Sequence, residues 1–94
     1  YMAPEQARAG HVDARADVFA LGVILWEAIA ARPLFRRATP AATLRAILTE
    51  QAPELDTVVI DVPRALAEIT TRALRKSPED RFPDASAMLA ALRA

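Results

Sequence analysis

A run of nine apolar residues, Val18–Trp26, limits what this chain can fold into more than any other feature. The run lies between Asp17 and Glu27, and no proline follows before Pro33. An acidic residue at its start favours a helix, which we expect to extend from Asp17 to about Ala30. Because such a helix is apolar on every side, we predict that it lies in the middle of the fold, packed all round. Nine residues are too few to cross a bilayer, which takes about 20.

Capping residues and apolar periodicity predict three further helices. One has Thr39 as its N-cap and Pro40 at its first position, one begins near Pro63, and one is capped by Asp84. In the first of these helices we expect Leu44, Ile47 and Leu48 to form the buried face. In the second the buried face is expected to be Leu66, Ile69, Ala73 and Leu74, and in the third Ala85, Met88, Leu89 and Leu92.

The stretch Thr57–Ile60 has strand propensity, but the chain offers no second strand to pair with it. A lone strand leaves its backbone polar groups unsatisfied, so we predict an extended loop between Pro53 and Asp61. The expected fold is therefore all-α, a single unit around one buried central helix.

Composition limits the partners that this chain can have. Its 12 basic and 12 acidic side chains cancel, and no stretch concentrates one sign, so neither nucleic acid nor an anionic membrane is an expected partner. The chain has no cysteine, which excludes disulfides, thiolate zinc sites and cysteine nucleophiles. These features predict a cytoplasmic protein. The first residue is Tyr1 and no signal sequence follows it, which predicts a segment cut from a longer chain.

Three short motifs occur in order along the sequence. They are Tyr1-Met2-Ala3-Pro4-Glu5, Asp17-Val18-Phe19-Ala20-Leu21-Gly22 and Pro78-Glu79-Asp80-Arg81-Phe82. The first resembles the Ala-Pro-Glu motif that ends the activation segment of protein kinases. The second is similar to the start of the central helix in the family's large lobe, and the third to its Pro-x-x-Arg signature. The resemblance spans nearly the whole chain.

This resemblance implies the C-terminal helical subdomain of the kinase large lobe, from the Ala-Pro-Glu motif to the end of the domain. Tyr1 before that motif and Gln6 after it are more similar to the serine/threonine branch, particularly its bacterial members, than to the tyrosine branch. The parent protein would transfer the γ-phosphoryl group of ATP to Ser or Thr of protein substrates with the help of Mg²⁺. Tyr1, Met2, Ala3 and Pro4 would form the end of the activation segment.

The resemblance assigns structural roles to three charged residues. Glu5 and Arg81 would form a buried ion pair that anchors the activation segment, the alternative being two solvated surface charges. Asp17 would accept hydrogen bonds from the backbone of the catalytic loop, or be no more than a favourable charge at a helix start. The family often has Ser or Thr where this chain has Ala16, so the cap there is weaker.

Other residues have weaker assignments. Glu27 is a possible contact for a basic substrate side chain, although a helix-end charge explains it equally well. Gly22 would let another segment approach the central helix closely, or is a tolerated helical glycine. We expect His11 to be a surface residue. The aromatic side chains expected in or near the core are Phe19, Trp26, Phe35 and Phe82.

The groups that handle the nucleotide are missing from this sequence. The two glycines, Gly10 and Gly22, are too far apart for a Gly-rich loop, and the sole lysine, Lys76, follows a helix instead of lying in a strand. We therefore expect no catalytic, cofactor-binding or metal-binding residue here, and no activity from the 94 residues alone. The missing N-terminal part of the kinase domain would be the main partner. The alternative is a non-catalytic helical interaction module derived from a kinase; a helix-turn-helix DNA binder is disfavoured by the zero net charge.

Overall fold

The computed structural model describes residues 3–4 and 14–93. Residues 14–93 form α1 (Ala14–Ala30), α2 (Pro40–Thr49), α3 (Leu55–Val58), α4 (Arg64–Ala73), a 3₁₀ turn (Pro78–Asp80) and α5 (Ala85–Arg93). These residues contain no strand, and the predicted all-α fold is confirmed. None of the helices in this part of the chain has the length and apolar character that a membrane crossing needs.

Helix α1 is the centre of the fold, and it already includes Ala14, the first described residue of this range, three residues before the predicted start. Ala14, Arg15 and Ala16 favour helix well enough to extend it, which places Asp17 within the first turn. One face of α1 presents Phe19, Val23 and Trp26, spaced at i, i+4 and i+7. They belong to the larger core cluster, whose other members include Leu34, Phe35, Ala46, Ile47, Leu55 and Leu74. The aromatic residues predicted for the core are all buried.

A second face of α1 packs on α4 and α5. Val18 is fully buried there, in a smaller cluster with Ala73, Phe82 and Met88. This arrangement explains why α4 and α5 each present one apolar face to the same central helix.

The third face of α1 is exposed, so the prediction of a helix packed all round is wrong on this side. Leu21 and Ile24 are 41% and 51% exposed, and Leu89 and Leu92 of α5 are exposed beside them. The described helices cover α1 from two sides, so an all-round apolar sequence leaves an apolar surface on the remaining side.

Capping by local side chains is confirmed at two helix starts. The Thr39 hydroxyl accepts a hydrogen bond from the Ala42 N–H at 3.1 Å, and Pro40 occupies the first position of α2. The Asp84 carboxylate accepts from the Ala87 N–H at 2.8 Å. Both bonds satisfy N–H groups that a helix start leaves without an internal partner.

The predicted extended loop between Pro53 and Asp61 is wrong in part, because Leu55–Val58 forms one helical turn, α3. Leu55 is buried against the core, and α3 packs on both α1 and α4. Burial of one leucine and packing on two helices decide the conformation here against the strand propensity of the valines.

Gly22 lies where α1 packs closely against the end of α4, which is the first of the two alternatives that the sequence left open. A Cβ atom added at Gly22 would be 2.9 Å from the Ala73 Cβ and 3.1 Å from a Leu74 Cδ. A distance below 3 Å between two such atoms forces one helix to shift, so the absence of a side chain at Gly22 sets the spacing of the two helices.

We expect Gly22→Ala to lower the free energy of unfolding in spite of its better helix propensity. Alanine gains ~1 kcal/mol over glycine inside a helix, whereas overpacking a core costs ~1–3 kcal/mol. Urea denaturation measures the net effect. The matched control is Ala73→Gly, which removes the opposing methyl group, and the double variant should be more stable than the two single effects predict. Strict additivity would contradict this steric explanation.

Candidate functional site

Arg81, singled out by the sequence, is buried at the point where the chain leaves the 3₁₀ turn, with 2% of its surface exposed. Its Nε donates to the Arg75 carbonyl at 2.7 Å, and its Nη2 donates to the Lys76 carbonyl at 3.2 Å. Its Nη1 donates to the Arg15 carbonyl at 3.0 Å, 66 residues away in sequence. One guanidinium group thereby joins the first turn of α1 to the segment that follows α4.

Two aromatic rings extend this arrangement toward α2. The Arg81 guanidinium lies 4.9 Å from the centroid of the Phe19 ring, and Phe19 and Phe35 stack with centroids 6.1 Å apart. The Lys76 ammonium lies 4.5 Å from the Phe35 centroid and donates to the Ile47 carbonyl near the end of α2 at 2.7 Å. Cations over ring faces and stacked rings are both stabilising. No local pattern in the sequence predicts this contact of Lys76, because Ile47 lies 29 residues away.

The predicted partner of Arg81, Glu5, lies outside the described residues, as do Tyr1, Met2, Gln6, Gly10 and His11. Ala3 and Pro4 from the same motif are described, and both are buried. The Glu5–Arg81 pair therefore stays a prediction.

Asp17 is exposed in the first turn of α1. The ion pairs found within residues 14–93 are Arg37–Glu50 and Arg64–Glu68, and Asp17 belongs to neither. Its carboxylate is thus available to an acceptor role, which itself stays a prediction.

Glu27, the possible substrate contact, has a structural bond. Its Oε2 accepts a hydrogen bond from the Leu34 N–H at 2.9 Å and so closes the loop after α1. The role of Glu27 toward a substrate stays a prediction.

A groove of about 480 Å³ lies along α2 and the loop that precedes it. Val23, Phe35 and Ile47 form its buried apolar part, and Leu44, 40% exposed, lies at its open side. Arg36 and Arg37 also line it. The predicted apolar face of α2 is therefore divided, since Ile47 is buried whereas Leu44 is exposed.

Residues 3–4 and 14–93 bring no three His, Cys, Asp or Glu side chains together at a metal-binding distance.

Comparison with known proteins agrees with this fold and with the sequence motifs. Residues 1–92 match the family model of protein tyrosine and serine/threonine kinases. The tyrosine-protein kinase MasK of Myxococcus xanthus is 45% identical over 98% of the chain, and the serine/threonine-protein kinase PksC of Streptomyces coelicolor is 38% identical over 94%. The serine/threonine-protein kinase PknB of Mycolicibacterium smegmatis is 36% identical over 98%.

Among solved structures, the twitchin kinase region from C. elegans superposes on 98% of this chain with a TM-score of 0.82 and 20% sequence identity. The match covers 16% of the twitchin chain. The fold is thus the helical subdomain of a kinase large lobe. This chain belongs to the protein kinase family. It spans 14% to 16% of the lengths of the three bacterial relatives.

Proposed function

We propose that residues 1–94 are the C-terminal part of a kinase catalytic domain whose N-lobe and catalytic loop precede them in a longer protein. The parent protein transfers the γ-phosphoryl group of ATP to Ser or Thr of protein substrates. This chain supplies the substrate-side helical platform and anchors the end of the activation segment. ATP and Mg²⁺ are bound by the parent domain outside this chain.

The observation that carries the proposal is the environment of Arg81. Its hydrogen bonds to three carbonyl groups of the described residues fix the start of α1 relative to the segment after α4, and Ala3 and Pro4 of the first motif are buried. A guanidinium held in this way can also receive a carboxylate through its planar donor edge. Glu5, which follows Pro4 directly, is our proposed carboxylate.

Specificity for Ser and Thr is the finer part of the proposal. PksC and PknB are named serine/threonine kinases, while MasK is named a tyrosine kinase. The residues that flank the Ala-Pro-Glu motif, Tyr1 and Gln6, favour the serine/threonine branch. Phosphoamino-acid analysis of a protein substrate labelled by the complete kinase decides between them, and phosphotyrosine as the main product would contradict the assignment.

We expect purified residues 1–94 to bind no ATP–Mg²⁺ and to phosphorylate no protein, because the groups that hold the phosphates and the metal are not in this sequence. Isothermal titration calorimetry tests the first statement, and transfer of radiolabelled phosphate tests the second. The positive control is the complete kinase, obtained by translating the DNA upstream of Tyr1 and expressing the whole reading frame. That reading frame should encode a His-Arg-Asp catalytic loop, an Asp-Phe-Gly motif and a Gly-rich loop. If these three motifs were absent from the reading frame, the alternative function, a non-catalytic interaction module, would be favoured.

A further inference from the structure

Helix α2 is attached to the rest of the fold by few buried side chains. Of its ten residues, Ala46 and Ile47 are the buried ones. The more extensive packing contacts among the described elements join α1 to α3, α4, α5 and the 3₁₀ turn, and α4 to α3 and α5, whereas none of them includes α2. An element with so little buried apolar surface opens at a lower free energy than the core of a fold. The position of α2 therefore depends on the other contacts that hold it.

The end of α2 has no capping cation of its own. The Glu50 N–H donates to the Ala46 carbonyl at 2.9 Å as the last bond of the helix, which leaves the Ile47 carbonyl without a partner inside α2. The last turn of α2 contains no basic residue to complement the negative end of the helix dipole. The Lys76 ammonium supplies both the donor and the charge from outside the helix, since its Nζ donates to the Ile47 carbonyl at 2.7 Å.

Lys76 is itself fixed to the core at both ends of the residue. Its own carbonyl accepts a hydrogen bond from the Arg81 Nη2 at 3.2 Å. Its ammonium lies 4.5 Å from the centroid of the Phe35 ring and 5.9 Å from that of Phe19. Both rings are buried, so cation–π attraction holds the ammonium at the place where it meets Ile47. Lys76 thereby joins α2 to the segment that follows α4.

From these contacts we infer that Lys76 is a positioning residue, which caps α2 from outside the helix and holds it on the core. Loss of the ammonium releases α2 while α1, α4 and α5 stay folded, because those three helices pack on one another. The inference rests on the proposed function where it concerns the reaction. There α2 belongs to the substrate-side platform, so Lys76 acts on the binding of a protein substrate through the position of α2 and is not a catalytic residue.

Hydrogen–deuterium exchange of the complete kinase without ATP, followed by mass spectrometry, tests the attachment of α2. Lys76→Met keeps a long apolar side chain but removes the charge and its donors. We expect the amides of α2 to exchange at least about tenfold faster in this variant, because a charged donor and a favourable helix-end charge are both lost. Exchange in α1 and α4 should stay as in the wild type.

Two further variants serve as controls for the exchange experiment. Lys76→Arg keeps a cationic donor and should restore most of the protection of α2. Arg64→Met removes a cation of α4 whose side chain is 91% exposed, and it should leave exchange in α2 unchanged.

Steady-state kinetics of the complete kinase with a protein substrate test the role in the reaction. Because a detached α2 lowers the fraction of molecules competent to bind the substrate, Lys76→Met should raise KM at least about threefold and change kcat less than KM. Lys76→Arg should return KM toward the wild-type value, and Arg64→Met should change neither constant.

Three results would overturn the inference. They are equal exchange of α2 in Lys76→Met and the wild type, an equal acceleration in α1, α2 and α4, and a KM for the protein substrate that Lys76→Met leaves unchanged. A complete kinase that phosphorylates no protein would defeat the proposed function, whereas exchange measured without ATP would still decide whether Lys76 holds α2.

Discussion

Arg81→Ala is expected to lower the free energy of unfolding by about 3–5 kcal/mol, the largest stability effect of any substitution proposed for this chain. The loss arises because the carbonyls of Arg15, Arg75 and Lys76 lose a charged donor, and because a cavity opens beside Phe19. Urea denaturation of the complete kinase, followed by far-UV circular dichroism, measures it.

Two control variants identify the origin of this effect. Arg81→Lys keeps the positive charge but cannot direct donors along three separate lines, so it should lose much of the same stability. Arg64→Ala removes an arginine whose side chain is 91% exposed and paired with Glu68, so it should cost less than about 1 kcal/mol. If Arg81→Ala were no more destabilising than Arg64→Ala, the guanidinium would not be holding these segments together.

Asp17→Ala is expected to lower kcat of the complete kinase on the order of 10²-fold, because a displacement of ~1 Å at a catalytic group has an effect of that size. In the proposed domain Asp17 is a positioning residue. Its exposed carboxylate would accept hydrogen bonds from the backbone of the catalytic loop and so hold the catalytic aspartate in place. Steady-state kinetics with a saturating peptide substrate measure the change.

The alternative explanation, a favourable charge in the first turn of a helix, is tested with Asp56. This residue is an exposed carboxylate in the first turn of α3 and matches Asp17 in that respect. Both alanine variants should lose ~0.3–1 kcal/mol of stability through the helix dipole, but only Asp17→Ala should lose kcat. If kcat were equal in the two variants, Asp17 would act only as a favourable charge in the first turn of the helix and not as a positioning residue.

Local features of the fold could be predicted from the sequence, because their causes lie within one turn of chain. Thr39 and Asp84 cap their helices through N–H groups three residues ahead, and Pro40 fits the first position of a helix in any surroundings. The close approach at Gly22 was only one of two alternatives that the sequence left open, because the residues that it contacts, Ala73 and Leu74, are distant in sequence.

Features that depend on contacts distant in sequence were not predictable. Residues Leu55–Val58 form α3 because Leu55 is buried and α3 packs on α1 and α4, although the local sequence prefers a strand. Lys76 reaches Ile47 through space, and the open face at Leu21 reflects which sides of α1 the other helices cover. For the candidate site, the sequence identified Arg81 through its motif, whereas its three carbonyl partners depend on how α1 and α4 pack.

The position of Trp26 gives the molecule an optical probe of its own folding. It is the sole tryptophan, 1% exposed, and its indole N–H donates to the Pro53 carbonyl at 2.8 Å. Its fluorescence therefore originates at one place, where α1 meets the connection between α2 and α3. Release of that connection into water would shift the emission to longer wavelength even while the helices stay intact. Local detachment of the connection around Pro53 and global unfolding would thus have separate spectroscopic signatures in the same sample.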